Sequence, residues 1–316
     1  MDITVVVPLF NEEESLPELV SWVENVCEKQ KYSFEMILVD DGSTDSSWEV
    51  IEKLSLTKGF IRGIKFRKNY GKSAALHCGF RSAIGNVIIT MDADLQDSPD
   101  EIPGLYRMIL EENYDLVSGW KKKRFDPFSK TLPSRFFNRT ARSVTGIPLH
   151  DFNCGLKAYT KEVIKNIEVF GEMHRYIPIL ARQAGFTKIG EKVVQHQKRK
   201  YGITKFGMTR FIKGFLDLLT VSFFSRYGKR PMHLFGTLGT LMFLIGFLAA
   251  GYLGGLRIYQ TVNNIAAGRV TASPYFYLAL TAMIIGTQLF LAGFLGDLIS
   301  RTSPQRNQYL IEKEIN

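Results

Sequence analysis

The chain opens on short apolar runs broken by polar turns. Ile3-Thr4-Val5-Val6-Val7 reads as a buried strand, and Pro8-Leu9-Phe10-Asn11-Glu12-Glu13-Glu14-Ser15-Leu16 turns out of it into an acidic helix start. Met36-Ile37-Leu38-Val39 predicts a second strand, closing on Asp40-Asp41-Gly42-Ser43-Thr44-Asp45. Ile61-Arg62-Gly63-Ile64-Lys65-Phe66 predicts a third, followed by a turn into a helix at Asn69-Tyr70-Gly71-Lys72-Ser73-Ala74-Ala75. A fourth, Val87-Ile88-Ile89-Thr90-Met91, ends abruptly in Asp92-Ala93-Asp94-Leu95-Gln96-Asp97. Four β-to-α units in about 100 residues predict an α/β domain with a mostly parallel sheet covered by helices. Acidic and polar residues collect at the carboxyl ends of these strands, where ligands of such sheets bind.

The pattern changes after Arg230. Residues 231–256 contain no Asp, Glu, Lys or Arg, and a second uncharged run begins at Pro274 and reaches Gly296. About 20 apolar residues suffice to cross a bilayer, so two transmembrane helices are expected, at about 231–256 and 274–298. Arg226, Lys229 and Arg230 precede the first run and Arg301 and Arg306 follow the second, whereas the connecting loop carries only Arg257 and Arg269. This distribution predicts a cell-membrane protein with both termini cytoplasmic. The amino terminus carries no apolar signal run after a basic start, so the sheet domain is expected to stay in the cytosol. The resulting plan is a catalytic domain over 1–205, an amphipathic juxtamembrane segment over 206–230, two spans within 231–300 and a cytosolic tail over 301–316.

Charge and composition refine this plan. The formal net charge of +9 would suit nucleic acid, but no nucleic-acid motif is present, and contact with anionic lipid accounts for it. Lys198-Arg199-Lys200-Tyr201-Gly202-Ile203-Thr204-Lys205-Phe206 leads into Phe211 to Leu219, whose apolar residues have helical spacing. Such a segment can lie in the membrane surface with its basic residues toward phosphate groups. Phe128 to Thr145, with Arg135, Arg139 and Arg142, reads as another amphipathic helix. Cys27, Cys78 and Cys154 are too few and scattered for a disulfide framework or zinc site, and reduced, partly buried thiols are expected. Neither a G-x-G-x-x-G fingerprint nor a G-x-x-x-x-G-K-[ST] loop occurs, which argues against a dinucleotide-dependent oxidoreductase or a P-loop ATPase.

The strand-end residues suggest chemistry. Asp92, Asp94 and Gln96 would place three oxygen donors on one strand end, a set suited to Mg²⁺ or Mn²⁺. Asp41 can accept from the N–H of uracil or guanine, Glu12 can bond ribose hydroxyls, and Lys72 can sit near a diphosphate at a helix start. Helix capping and solvated turns are the structural alternative for Asp41 and Glu12.

These residues resemble the metal-dependent family 2 glycosyltransferases of GT-A fold, and within them the polyprenyl-phosphate glycosyltransferases. Val7 to Leu16, Val39 to Asp45, Asn69 to Ala75, Asp92 to Pro99, Asp151 to Tyr159 and Arg199 to Phe206 carry the resemblance, over roughly residues 1 to 210. It implies a donor site for a nucleotide-diphosphate sugar that includes Pro8, Phe10, Glu12, Asp41, Lys72 and Asp92, with a divalent metal on Asp92, Asp94 and Gln96. The acceptor it implies is a polyprenyl phosphate in the bilayer, held by Arg199, Thr204 and Lys205, since arginine can grip phosphate in a bidentate fork. Asp151 matches a family position close to the acceptor and joins Asp94 as a candidate catalytic residue; orienting the nucleophile, acting as base and a plain structural turn all stay open for it. Glu172 is a weaker candidate base. The family often has an arginine just after the strand Asp115 to Ser118, where this chain has Trp120, leaving Lys121 or Arg124 as the phosphate contact. Transfer to a glycolipid or growing polysaccharide, or a non-catalytic nucleotide-sugar scaffold, are the other readings. Gly251-x-x-x-Gly255 would allow close helix packing and a homo-oligomer.

Overall fold

In the computed structural model, which describes residues 1–122, 138–139, 141–143, 145–171, 173–197, 200, 231–265, 268–302 and 311–315, the predicted strands join one mixed sheet. Its members are β1 (Ile3–Leu9), β2 (Phe34–Asp40), β3 (Ile61–Phe66), β4 (Val87–Thr90), β5 (Leu116–Trp120), β6 (Lys157–Thr160), β7 (Ile189–Val193) and β8 (Ile311–Ile315), in the order β7-β5-β6-β4-β1-β2-β3-β8. The first four are mutually parallel. β6 runs antiparallel to both β4 and β5, so β5 regains the direction of β4, and β7 is parallel to β5. The carboxyl ends of β1 to β5 therefore share one edge.

Helices cover both faces, which is why the strands read as unbroken apolar runs. On one face, Val5, Val7, Met36 and Leu38 pack with α1 (Leu16–Lys29), α2 (Ser47–Thr57) and α4 (Ile102–Leu110). On the other, Val6, Ile37 and Val39 pack with α3 (Lys72–Ser82), α5 (Lys161–Asn166) and α6 (Ile177–Gln183). α1 buries Leu16, Leu19, Val20 and Val23, the i, i+3, i+4, i+7 spacing of a single apolar stripe. Each such side chain, fully buried, contributes about 1.5–3 kcal/mol. α3 approaches β1 so closely that a Cβ on Gly79 would overlap Val6 Cγ1.

The tail departs from expectation. Ile311–Ile315 returns to the sheet as β8, antiparallel to β3, with Gly63 opposite Ile315 and Ile64 opposite Glu314. Ile315 packs on the core and Lys313 Nζ stands 3.5 Å from Glu52. Compactness accordingly divides the chain into Met1–Ser222 with Arg306–Asn316, and Phe223–Gln305.

The second unit contains α7 (Pro231–Val262) and α8 (Pro274–Thr302), longer than the uncharged runs suggest. Met232–Val262 and Pro274–Gly296 are long and apolar enough to cross a membrane. Leu241, Leu244, Ile245, Phe247, Leu248, Ile284 and Phe294 are among the many large apolar side chains left exposed on them, the reverse of a soluble core hairpin. The two helices meet through glycines: a Cβ on Gly239 would lie 2.5 Å from Gly286 O, and one on Gly246 would lie 2.5 Å from Ala279 O. Gly251 and Gly255 have open space where a Cβ would stand, so the close approach within the hairpin uses other glycines than the motif in the sequence. The predicted segment 206–230 and most of Phe128 to Thr145 lie outside the described residues.

All three cysteines are buried and unpaired by disulfides. Burial pushes the thiols of Cys27 and Cys154 up to about 12 and that of Cys78 up to about 11, against an ordinary value near 9. A folded chain at pH 8 should therefore react with a thiol reagent such as DTNB only on the timescale of opening, with all three thiols reporting at once in denaturant. Rapid labelling of any thiol in the native state would show that its burial is not as described.

Candidate active site

Four loops leave the carboxyl edge of the sheet, and polar contacts stitch them together. After β1, Asn11 takes the left-handed conformation that asparagine tolerates, at φ +57°. Its N–H donates to Ser43 Oγ (2.9 Å), and its side-chain oxygen accepts from the Thr44 N–H (2.8 Å), both after β2. The Glu12 N–H donates to Ser47 Oγ (2.9 Å) at the start of α2. Gly42, at φ +74°, lies flat against the loop after β3, where a Cβ would stand 2.5 Å from Lys68 C. After β4 the chain reverses at Leu95, a buried leucine at φ +58°. Holding leucine there costs about 1–2 kcal/mol, and its buried side chain together with the Asp94 turn fixes it in place.

Between these loops lies a cavity of about 410 Å³. Pro8, Leu9, Phe10 and Glu12 line it from β1, Asp41 from β2, Asn69, Gly71 and Lys72 from the start of α3, and Asp92, Ala93 and Asp94 from β4. Asp41 Oδ1 accepts from the Tyr70 N–H (2.7 Å) and Oδ2 from the Gly71 N–H (2.9 Å), which aims the carboxylate along the cavity wall. Burial pushes its carboxyl up despite these bonds. Glu12 Oε2, also at the cavity, accepts from Ser15 Oγ (3.1 Å).

The two carboxylates after β4 differ sharply in acidity. Burial opposes ionisation of Asp92, but Lys72, Lys121 and Lys157 outweigh it and hold the carboxyl well below the usual range. Lys72 is paired directly with it. Burial raises Asp94, and the charges of Asp92 and Asp97 raise it further. Adjacent anions that resist joint ionisation form a donor set that a divalent cation would stabilise. Gln96 stands apart: its N–H donates to Asp94 Oδ1 (3.2 Å), its carbonyl accepts from the Gln197 N–H (2.9 Å), and it is not among the residues lining the cavity. Two carboxylates with room for substrate oxygens fit Mg²⁺ or Mn²⁺, which commonly take only one or two from the protein.

Several neighbours escaped the sequence reading. Gly155 lies against Asp92, where a Cβ would stand 2.5 Å from Oδ2, and its carbonyl accepts from Thr90 Oγ1 (2.8 Å). Lys157, buried at the head of β6, donates to the Cys154 carbonyl, and burial pulls its ammonium below the usual range. A lysine inside the apolar run Leu156 to Tyr159 was the available signal. Lys121 lies 2.6 Å from the fully buried Asp97 and neutralises it, so its charge is committed away from any phosphate. Ser73 Oγ accepts from the His174 N–H (3.0 Å) and lies 3.0 Å from its Nδ1. Burial, with Lys72 and Arg175 nearby, keeps that imidazole neutral.

Asp151 is buried one loop away, before β6, and is not among the residues lining the cavity. Its Oδ1 accepts from the Asn153 N–H (3.1 Å). Arg124, Glu172, Arg199, Thr204 and Lys205 lie outside the described residues. Lys200, beside Arg199, pairs with Glu18 of α1 at 2.7 Å.

Known proteins resemble this arrangement at two levels. The solved structure of glucosyl-3-phosphoglycerate synthase from Mycobacterium tuberculosis with Mn²⁺, uridine diphosphate and phosphoglyceric acid superposes with a TM-score of 0.54 at 18% identity, covering 71% of this chain and 78% of that one, and so shares the fold. Dodecaprenyl-phosphate galacturonate synthase of Rhizobium johnstonii is 36% identical over 96% of this chain and 88% of its own. Undecaprenyl-phosphate 4-deoxy-4-formamido-L-arabinose transferase of Pectobacterium atrosepticum is 34% identical over 100% and 94%. Residues 4–168, which carry β1 to β6 and every wall of the cavity, match the glycosyl transferase family 2 pattern, and the chain belongs to that family.

Proposed function

We propose that this protein is a membrane-anchored, inverting glycosyltransferase that moves a sugar from a nucleoside-diphosphate sugar to a polyprenyl phosphate and releases the nucleoside diphosphate. The observation that carries the reading is one chain holding both a strand-end cavity with Asp41, Lys72, Asp92 and Asp94 and two helices with apolar surfaces turned outward. The first supplies a soluble donor's site and the second access to a lipid. The dodecaprenyl- and undecaprenyl-phosphate products and acceptors named for the relatives support the lipid.

Within the cavity, Asp41 accepts from the base N–H and Glu12 from ribose hydroxyls, while Pro8 and Phe10 wall the nucleoside. Lys72 meets the diphosphate from the start of α3. Asp92 and Asp94 would hold a divalent metal, with Gln96 supporting their turn; when bound, the metal supplies positive charge to the leaving diphosphate. Arg199, Lys205, Thr204 and Arg124 take the acceptor phosphate. A phosphate monoester has a second pKa near 6, so its attacking oxygen is largely ionised at neutral pH, no strong base is required, and Asp151 serves the acceptor side by fixing the donors that hold this phosphate. The bond from this oxygen to the anomeric carbon forms as the bond to the diphosphate oxygen breaks on the opposite face. The configuration therefore inverts.

The return of the chain to β3 supports a definite topology. A chain that leaves the sheet, crosses a bilayer twice and rejoins the same sheet has both ends of the hairpin on one side. The basic residues flanking the spans favour the cytosol for that side.

Three outcomes are expected. Asp94→Asn should lower transfer by roughly two orders of magnitude, the scale of a lost metal contact to the leaving group, with thermal stability retained; EDTA should abolish wild-type transfer and Mn²⁺ or Mg²⁺ restore it. Full activity in EDTA would remove the metal from the mechanism.

Asp41→Ala should weaken UDP or GDP binding, measured by titration calorimetry, by roughly 10- to 100-fold, as expected for one charge-assisted hydrogen bond. Arg199→Gln with Lys205→Gln should leave that binding nearly unchanged while raising the KM for undecaprenyl phosphate. Equal loss of nucleotide affinity in both variants would put Arg199 and Lys205 in the donor site.

A cysteine at Asn264, between α7 and α8, should be labelled from outside intact cells by an impermeant maleimide, against a low background from the buried native thiols. Protection of this site, with labelling of a cysteine placed at Glu314, would reverse the orientation.

A further inference from the structure

Glu191 is a mostly buried carboxylate on β7, 11% accessible at its side chain, and it contacts one dipeptide three times. Its Oε1 accepts from the His150 N–H (2.6 Å) and the Asp151 N–H (3.1 Å), and its Oε2 lies 2.7 Å from His150 Nδ1. Ser118, its register partner on β5, donates Oγ to the Asp151 carbonyl at 3.1 Å. Two residues further along β5, and so on the same face of the sheet, Trp120 stacks on the His150 ring with centroids 4.1 Å apart and planes 15° off parallel. Ser118, Trp120 and Glu191 thus form a platform across two adjacent strands, on which His150-Asp151 is fixed at both peptide groups and at the imidazole.

We propose that Glu191 is a positioning residue for transfer, acting through Asp151, with Ser118 and the Trp120–His150 stack as the remainder of its brace. This inference rests on the reading of Asp151 as the acceptor-side carboxylate. An isolated loop carboxylate would sample several orientations. Here the backbone on both sides of Asp151 is fixed to rigid strands, while its own Oδ1 accepts from the Asn153 N–H. Misplacement of a reacting group by about 1 Å can lower a rate about 100-fold, so the brace has a direct route to the rate without touching substrate. Charge matters less than acceptor geometry, because two of the three contacts are backbone N–H groups that a neutral amide oxygen can also receive.

The test uses the full chain in vesicles containing undecaprenyl phosphate. The donor is whichever of UDP-glucose, GDP-mannose, UDP-N-acetylglucosamine and UDP-4-amino-arabinose the wild type turns over. Glu191→Ala should lower kcat by roughly 10- to 100-fold and leave the Kd for the free nucleoside diphosphate within about twofold, because Glu191 is on the far side of β5 from the cavity. Glu191→Gln should recover most of the rate. In an Asp151→Asn background, Glu191→Ala should cost little more, since a residue acting through another loses its effect when that partner is gone. Ser118→Ala, combined with Asp151→Asn in the same way, carries the test should Glu191→Ala fail to fold. Unchanged kcat in Glu191→Ala, an undiminished loss in the Asp151→Asn background, or a fully active Asp151→Asn protein would each overturn the proposal. A wild type that binds neither UDP nor GDP and transfers no sugar from any of these donors would instead overturn the functional reading and this inference with it.

Discussion

Crowded negative charge at one sheet edge is the constraint on which the rest of the structure depends. Asp40, Asp41, Asp92, Asp94 and Asp97 all stand where β2 and β4 end, and all but Asp92 and Asp94 are almost wholly buried. Such a cluster is tolerable only with compensation. The chain supplies it from three directions: Lys72 at the start of α3, Lys121 after β5 and Lys157 at the head of β6. Backbone N–H groups of Tyr70 and Gly71 add hydrogen bonds to Asp41, and that of Ser43 adds one to Asp40. The antiparallel placement of β6 between β4 and β5 follows the same need, because it brings Lys157 and the close-fitting Gly155 against Asp92.

The compensation is incomplete, and the incompleteness is chemically informative. Asp94 remains hard to ionise beside Asp92. A cation placed beside the two carboxylates would relieve that repulsion.

Legibility in the sequence followed the range of the interactions. β1 to β4 were readable because strands buried on both faces are unbroken apolar runs, and Asp92 and Asp94 because they interrupt one. The two uncharged runs were readable from length alone. β8 was not: Glu312-Lys313-Glu314 is charged as an edge strand can be, and its partner lies at the other end of the chain. The commitment of Lys121 to Asp97 and of Glu191 to Asp151 was equally hidden, since each joins residues far apart in sequence with no periodicity of their own. Gly251-x-x-x-Gly255 illustrates the converse, a recognisable local pattern that the hairpin contact does not use.

The pairing of β8 with β3 also sets an order of assembly. During synthesis, β3 leaves the ribosome among the first strands, yet its partner emerges only after both long apolar helices. Throughout that interval the sheet has an unpaired edge, and such edges are templates for association with other chains. Insertion of the hairpin into a bilayer while the ribosome is still attached would hold each nascent sheet apart from its neighbours until the last strand arrives. The membrane in this view serves biogenesis before it serves catalysis.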